Sequence, residues 1–155
     1  RPCFLVHRLD ADAAGLMLVA HDSKSAGALS QLFSGRTVTK TYRARVTGQL
    51  NADDLVINAP LDGKESLSRV TTLAIDPNEN TSDVQVLIET GRKHQIRLQF
   101  ANQGHPVLGD RKYGARQTLS RGIALHARRL ELTHPVQRER LAWEADLPVM
   151  WQPFF

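Results

Sequence analysis

Near its start the chain reads Val6-His7-Arg8-Leu9-Asp10, continued by Ala11-Asp12-Ala13-Ala14-Gly15-Leu16-Met17-Leu18-Val19-Ala20. A base, a cation and an acid thus lie side by side just ahead of an apolar run. The run from Leu16 to Ala20 is bounded by turn-forming residues, which predicts a buried strand. Asp10 is then expected on a loop held against the middle of a sheet. A carboxylate in that position must be solvated in a cleft, paired or used in chemistry.

The residues that follow alternate between helical and strand periodicities. Helices are predicted over Ser23–Phe33 and Lys93–Gln103, and strands over Val38–Val46, Leu55–Leu61, Leu67–Ile75, Val84–Ile88, Ala124–Leu132 and Leu141–Ala145. A structured loop is expected over His105–Gly114, and an apolar tail over Leu147–Phe155. Because no linker or repeat divides the chain, we predict one domain of the α+β class, with a mixed, largely antiparallel sheet flanked by a few helices and loops.

A second charged motif, Glu89-Thr90-Gly91-Arg92-Lys93-His94-Gln95-Ile96-Arg97-Leu98, lies where a strand is expected to end and a helix to begin. A glycine turn with surface cations capping the helix is one explanation of it. The helical spacing indicates more, since Arg97 and Leu98 share one face while Ile96 and Phe100 share another. We therefore expect Ile96 and Phe100 to pack in the core, with Arg97 and Leu98 directed at a pocket.

The composition is ordinary for a soluble globular protein and excludes several classes of site. Of 155 residues, 41% are hydrophobic and 23% charged, and a formal net charge of +4 favours an anionic partner without identifying it. The single cysteine, Cys3, rules out an intrachain disulfide and a cysteine metal cluster, and the histidines lack the spacing of zinc ligands. With no apolar run of membrane-spanning length and no secretory signal, we predict a cytoplasmic protein.

Both motifs, and several segments between and after them, resemble the RluA family of RNA pseudouridine synthases. The matching segments, in the family's order, are His7-Arg8-Leu9-Asp10 with Gly15, Lys40-Thr41-Tyr42, Thr90–Arg97, Gly104–Asp110 with Tyr113-Gly114, Leu125-His126-Ala127 with His134-Pro135, and Leu147-Pro148 with Trp151. The resemblance implies a catalytic domain over residues 1–155 with an active-site cleft across the sheet. The family's segment ahead of the first motif has no match here, so we expect that part of the fold to be missing from this chain or supplied in some other way.

The resemblance assigns roles to five residues. Asp10 matches the catalytic aspartate, Tyr42 the tyrosine that packs against the target base, and Arg97 the arginine that pairs with the aspartate. Arg8 matches an arginine used against RNA near the extruded nucleotide, and Leu98 matches an aliphatic residue lining the pocket. The implied substrate is a flipped uridine in a structured ribosomal or transfer RNA.

The chemistry fits these residue types. Uracil is detached from C1′ of its ribose and rejoined through C5, a rearrangement without redox change that needs neither cofactor nor metal. Extruding the base costs a few kcal/mol, and stacking on an aromatic ring returns roughly 1–3 kcal/mol. The carboxylate must be ionised to act, either as nucleophile or as base, and a nearby guanidinium would favour that charged form.

Other interpretations stay open. Asp12 is expected to be a solvated turn residue, and Asp110 to hold its loop through an Asx-type turn. His7 and His94 are expected to be orienting or hydrogen-bonded structural residues rather than bases.

Ala13 and Ala14 stand where the family usually has Thr and then Ser or another small residue, which favours a module that binds RNA without chemistry. The matching Asp10, Tyr42, Arg97 and Leu98 argue against such a module, because a pure binder has no need for the carboxylate. A hydrolase of glycosidic bonds would need a second carboxylate roughly 5–10 Å away, and none is evident.

Overall fold

A seven-stranded sheet dominates the computed structural model, which describes residues 1–149 and 151. The strands are β1 (Phe4–Leu5), β2 (Ala14–Gly15), β3 (Val19–Ala20), β4 (Thr39–Thr47), β5 (Leu55–Ile57), β6 (Ser68–Asp76), β7 (Thr81–Ile88), β8 (Leu125–Thr133) and β9 (Arg140–Glu144). The helices are α1 (Ser23–Ser34) and α2 (Gln95–Asn102), and a short 3₁₀ helix spans Arg111–Tyr113.

The sheet order is β2-β8-β4-β7-β6-β5, and β9 follows β2 along the same edge of β8. β2 runs parallel to β8, whereas the other neighbouring strands of this sheet pair antiparallel. β1 and β3 form a separate two-stranded sheet. The predicted α+β class and the mixed, largely antiparallel sheet are therefore confirmed.

The prediction of one buried strand over Leu16–Ala20 is wrong. β2 ends at Gly15, whose φ of +115° and close approach to the Ala127 backbone leave no room for a side chain. The chain then leaves the large sheet, and Met17 is 49% exposed. The apolar residues of the run serve another purpose, because Leu16 and Leu18 pack with residues from α1 and β8.

The remaining predicted elements differ from the structure mainly in their bounds. Both predicted helices are present, and the hairpin of β6 and β7 forms as expected. The strand predicted over Leu55–Leu61 is limited to β5, and the chain turns at Asp62-Gly63, where Leu61 pairs with Lys64. In the predicted apolar tail, Trp151 is buried and packs in the core, whereas Phe154 and Phe155 lie outside the described residues.

The core forms two clusters, and residues packed in each of them line the cavity described below. One cluster joins Phe100 and Ile96 of α2 to Val84 and Val86 of β7, and the side chain of Phe100 is fully buried. Burial of a side chain of this kind stabilises the fold by about 1.5–3 kcal/mol. A second cluster lies beneath α1. Among the described residues, neither helix has the length and apolar character needed to cross a bilayer.

Candidate active site

A cavity of about 340 Å³ lies between the Asp10 loop, the end of α1, strand β4 and the turn that leads into α2. Its polar lining includes Arg8, Asp10, Lys40, Tyr42, Arg92 and His94, and its apolar lining includes Ile88, Ile96 and Leu125. The volume lies at the lower end of the range for small-molecule pockets. The cavity lining includes three of the five residues singled out in the sequence, namely Arg8, Asp10 and Tyr42.

Backbone hydrogen bonds close the Asp10 loop and tie it to the segment that precedes β8. The carbonyl of Asp10 accepts from the N–H of Ala13 at 3.0 Å, and that of Asp12 accepts from the N–H of Ile123 at 3.0 Å. Gly122, with a φ of +67°, allows the second contact, because a Cβ there would lie 2.6 Å from the Asp12 oxygen. The Asp10 side chain, 25% exposed, is thus presented from a loop that one of these bonds closes and the other anchors.

Arg97 lies between two carboxylates. Its Nη1 is 3.8 Å from Oδ2 of Asp10, while its Nε and Nη2 donate to the two oxygens of Asp110 at 2.8 and 2.9 Å. The side chains of Arg97 and Asp110 are only 6% and 1% exposed. Hydrogen bonding to Asp110, opposed in part by burial, raises the pKa of Arg97 above its usual value. The guanidinium therefore stays charged and is oriented by Asp110, with one edge facing Asp10.

The Asx-turn interpretation of Asp110 is wrong, because its carboxylate binds Arg97 rather than its own loop. Sequence reasoning also missed Tyr113, whose ring lies under the Arg97 guanidinium at 5.1 Å from its centroid. The Tyr113 hydroxyl is 2.7 Å from Nδ1 of His94. The available signal was the position of Asp110 and Tyr113 in the segment after α2, which was interpreted from the sequence only as a structured loop.

A buried hydrogen-bond network fixes the start of α2, and sequence reasoning missed it too. The Thr90 hydroxyl donates to Oε1 of Gln95 at 2.6 Å, and Nε2 of Gln95 donates to Oγ of Ser68 at 2.9 Å. The Ser68 hydroxyl in turn donates to Oε1 of Gln99 at 2.6 Å. Because fully satisfied buried networks specify one geometry, this one ties α2 to β6 and so sets where Arg97 arrives.

Tyr42 and Lys40 reach the cavity from alternate positions of β4. Burial, and secondarily the negative charge of Asp10, raises the pKa of Tyr42 to about 12. The phenol is therefore neutral over the physiological range, and its ring is available to a flat ligand. Burial lowers the pKa of the Lys40 ammonium.

His7, which also lines the cavity, connects the Asp10 loop to the segment before α1 and to α1 itself. The backbone N–H of Leu18 donates to Nε2 of His7 at 2.7 Å, and the imidazole stacks on Phe33 with ring centroids 4.2 Å apart. An acceptor Nε2 requires the neutral ring with its proton on Nδ1. Burial, and secondarily the charge of Lys40, lowers the pKa of His7 from 6.5 to about 4.

Acidification is therefore expected to destabilise the fold through His7. In the unfolded chain His7 takes up a proton below pH 6.5, but in the folded chain only near pH 4. The free energy of unfolding therefore falls as the pH drops through this window, and above pH 6.5 the contribution of His7 is fully present. The urea midpoint measured across the window should decline more steeply for the wild type than for His7→Gln. The exposed His21 provides the matched control, His21→Gln. Equal pH dependences of the wild type and His7→Gln would contradict this assignment.

The two remaining residues singled out in the sequence lie in different surroundings. Arg8 lines the cavity with an exposed side chain. Leu98 is half-buried on α2 and is not among the lining residues, and its pocket role stays a prediction. The aliphatic residue that α2 contributes to the lining is Ile96, which also packs in the core. Within residues 1–149 and 151, no group of three histidine, cysteine or acidic side chains is placed to hold a metal ion.

Comparison with known proteins identifies close relatives of the chain. The sequence profile of the RNA pseudouridylate synthase family matches residues 1–102. The dual-specificity RNA pseudouridine synthase RluA of Pasteurella multocida is 36% identical, over 92% of this chain and 73% of that protein. The ribosomal large subunit pseudouridine synthase D of Pseudomonas aeruginosa is 34% identical, over 93% of this chain and 53% of that protein. The chain spans about half the length of the first curated relatives it matches.

Solved structures agree in fold. Human RNA pseudouridylate synthase domain containing 1 superimposes with a TM-score of 0.83 at 26% identity, covering 97% of this chain and 71% of that one. Human RNA pseudouridylate synthase domain containing 4 gives a TM-score of 0.80 at 26% identity, covering 97% of this chain and 74% of that one. The matched profile, the curated relatives and the fold agree, and the chain belongs to the RluA family of RNA pseudouridine synthases.

Proposed function

We propose that this chain is the catalytic domain of an RNA pseudouridine synthase that isomerises uridines in structured ribosomal or transfer RNA. The observation that carries the proposal is the Asp10 carboxylate, which lines a cavity of about 340 Å³ and lies 3.8 Å from the Arg97 guanidinium. A loop fixed by hydrogen bonds and a cation fixed by Asp110 hold this pair in place before any substrate binds, as catalysis by preorganised charges requires. The relatives named for ribosomal RNA, and the lone exposed cysteine, suit a cytoplasmic location.

The proposed reaction balances without a cofactor. The bond from N1 of uracil to C1′ breaks, a bond from C5 to C1′ forms, and the proton leaving C5 is matched by the proton gained at N1. Asp10 acts at the sugar, because it is the carboxylate in the cavity lining, while Arg97 stabilises its negative charge. The tyrosine ring on β4 supports the extruded base by stacking, and exposed Arg8 lies beside the same cavity for contact with the RNA.

The geometry favours this reaction over hydrolysis. A glycoside hydrolase places a second carboxylate roughly 5–10 Å from the first to act as acid or base. Among the described residues that line the cavity, Asp10 is the one carboxylate, and neighbouring Asp110 is committed to Arg97 through both oxygens. A second acid free for proton transfer is thus lacking in this lining.

The test uses transcripts of ribosomal and transfer RNA that carry tritium at C5 of uridine. Release of the label, with one pseudouridine formed for each tritium released, supports the proposed isomerase. Tight binding with the label retained would instead identify a module that binds RNA without chemistry. Release of free uracil and an abasic site would identify a hydrolase.

Substitutions at Tyr42 separate stacking from hydroxyl chemistry. Tyr42→Ala is expected to lower kcat/KM by about 5- to 150-fold, which corresponds to about 1–3 kcal/mol of base stacking. Tyr42→Phe keeps the ring and is expected to stay within about fivefold of the wild type, because the phenol is neutral and stacking is its main contribution. Single-turnover rates on one transcript, measured across the pH range, provide the comparison. A Phe variant as impaired as the Ala variant would show that the hydroxyl takes part.

A further inference from the structure

Lys40 is a lining residue of the cavity to which the proposed chemistry gives no role. It lies on β4 two residues before Tyr42, in register with Ile88 of β7 and Leu130 of β8. Residues two apart on a strand share a face and stand about 7 Å apart. The ammonium on its four-carbon stem therefore enters the same cavity as the tyrosine ring, at a separate position along the strand.

The Lys40 ammonium has no protein partner among the described residues. No carboxylate of the described chain lies within the 4.0 Å ion-pair distance of its nitrogen, and the described residues give it no hydrogen bond. The chain's buried arginines differ, since Arg45 is paired with Asp83 and Arg97 with Asp110. An ammonium in a cavity lining that has no protein partner can bind a ligand that offers an acceptor.

The surroundings leave room for this ammonium. Gly91 adjoins it so closely that a Cβ at that position would lie 3.1 Å from Nζ of Lys40. A side chain at position 91 would require the end of Lys40 to shift by a few tenths of an ångström. Burial also lowers the pKa of Lys40, as expected of a cation withdrawn from water.

The ligand must offer an acceptor, because an ammonium carries three donors and no acceptor. If the uridine binds as proposed, C1′ lies at Asp10 and the uracil ring lies on Tyr42. The O4 carbonyl is then directed away from Asp10, because C4 lies across the ring from N1. Lys40 lines the same cavity but lies beyond 4.0 Å of the Asp10 carboxylate, as a partner for O4 should.

On the basis of the proposed function, we propose that Nζ of Lys40 donates a hydrogen bond to O4 of the flipped uracil and so selects uridine over cytidine. Cytidine presents an amino group at the same ring position, which would place donor against donor. A site built to hydrogen-bond one group rejects an analogue lacking it far more strongly than an apolar pocket can, because the site's own polar group is left unpaired.

The experiment compares three versions of a transcript that the wild-type protein converts. The target position carries uridine, cytidine or 2-pyrimidinone ribonucleoside, which lacks the oxygen at C4. Dissociation constants are measured in the Asp10→Asn background, so that turnover does not intervene. We expect uridine RNA to bind about 10- to 100-fold more tightly than the other two. Adding Lys40→Met should reduce this preference to less than about threefold, whereas Lys24→Met, which removes an exposed lysine outside the cavity, should leave it unchanged.

Each other outcome overturns the assignment. If Lys40→Met weakens the binding of all three RNAs equally, and the slope of log affinity against log salt concentration becomes shallower by about 0.7, Lys40 binds a phosphate instead. A variant that keeps the full preference for uridine shows that another group reads O4. Should Lys40→Met fail to fold, equal binding of the uridine and 2-pyrimidinone RNAs by the protein with Lys40 intact overturns the contact. If the wild-type protein forms no pseudouridine, the proposed function itself is wrong. Turnover by the wild type is measured first, so that this failure is distinguished from failure of the Lys40 contact.

Discussion

Asp10→Asn is expected to lower the rate of pseudouridine formation by at least about 10⁴-fold while leaving the fold and RNA binding largely unchanged. The amide has nearly the same shape but can serve neither as nucleophile nor as base. The loop should persist, because the hydrogen bond that anchors it at this residue is made by the backbone carbonyl of Asp10. Tritium release from a labelled transcript gives the rate, and thermal unfolding together with an RNA dissociation constant monitors fold and binding.

Asp12→Asn is the matched control, since it makes the same chemical change two residues further along the chain. The Asp12 side chain is exposed, and its contribution to the loop is a backbone carbonyl that accepts from Ile123. It should therefore retain near wild-type activity. A comparable rate for Asp10→Asn and the wild type would contradict the catalytic role of Asp10. A strong loss of activity in Asp12→Asn would mean that the total charge of the loop, and not Asp10 alone, supports the reaction.

The sequence predicted the elements of this fold better than their contacts. The period of 2 in β4 and the helical spacing in α1 and α2 are local patterns, and the structure contains all three elements close to their predicted bounds. The run after Asp10 misled because its apolar residues are equally suited to packing beneath a helix as to lying in a strand. Gly15 decides between the two by its positive φ, which a sequence pattern does not display.

The site shows the same division between local pattern and distant contact. Sequence spacing alone placed Asp10 on a held loop and Arg97 on the start of a helix, and the resemblance paired them. Neither the spacing nor the resemblance revealed that Arg97 donates its hydrogen bonds to Asp110. That contact joins α2 to the loop that follows it, and the path of this loop depends on the whole fold. The choice of Ile96 over Leu98 as a lining residue likewise depends on how α2 is rotated, which the network around Gln95 sets.

The second large effect is expected at the buried pair of Arg97 and Asp110. Arg97→Met should destabilise the protein by about 3–5 kcal/mol, because it leaves the carboxylate of Asp110, 1% exposed, without its charge partner. It should also greatly reduce pseudouridine formation, since Asp10 loses the cation that lies 3.8 Å away. Urea unfolding measures the first effect, and single-turnover rates below the unfolding transition measure the second. The exposed pair of Arg69 and Asp54 supplies the control, in which Arg69→Met should change stability little.

The double variant Arg97→Met/Asp110→Leu separates the structural from the catalytic contribution. Replacing both partners of a buried ion pair with apolar residues is often neutral or stabilising, so much of the stability lost in Arg97→Met should return. Activity should not return, because the described residues then provide no cation within 4.0 Å of the Asp10 carboxylate. Recovery of both stability and activity would mean that Arg97 serves only to neutralise Asp110. Recovery of stability alone would show that Asp110 holds the guanidinium in place so that its remaining edge can act on the catalytic carboxylate.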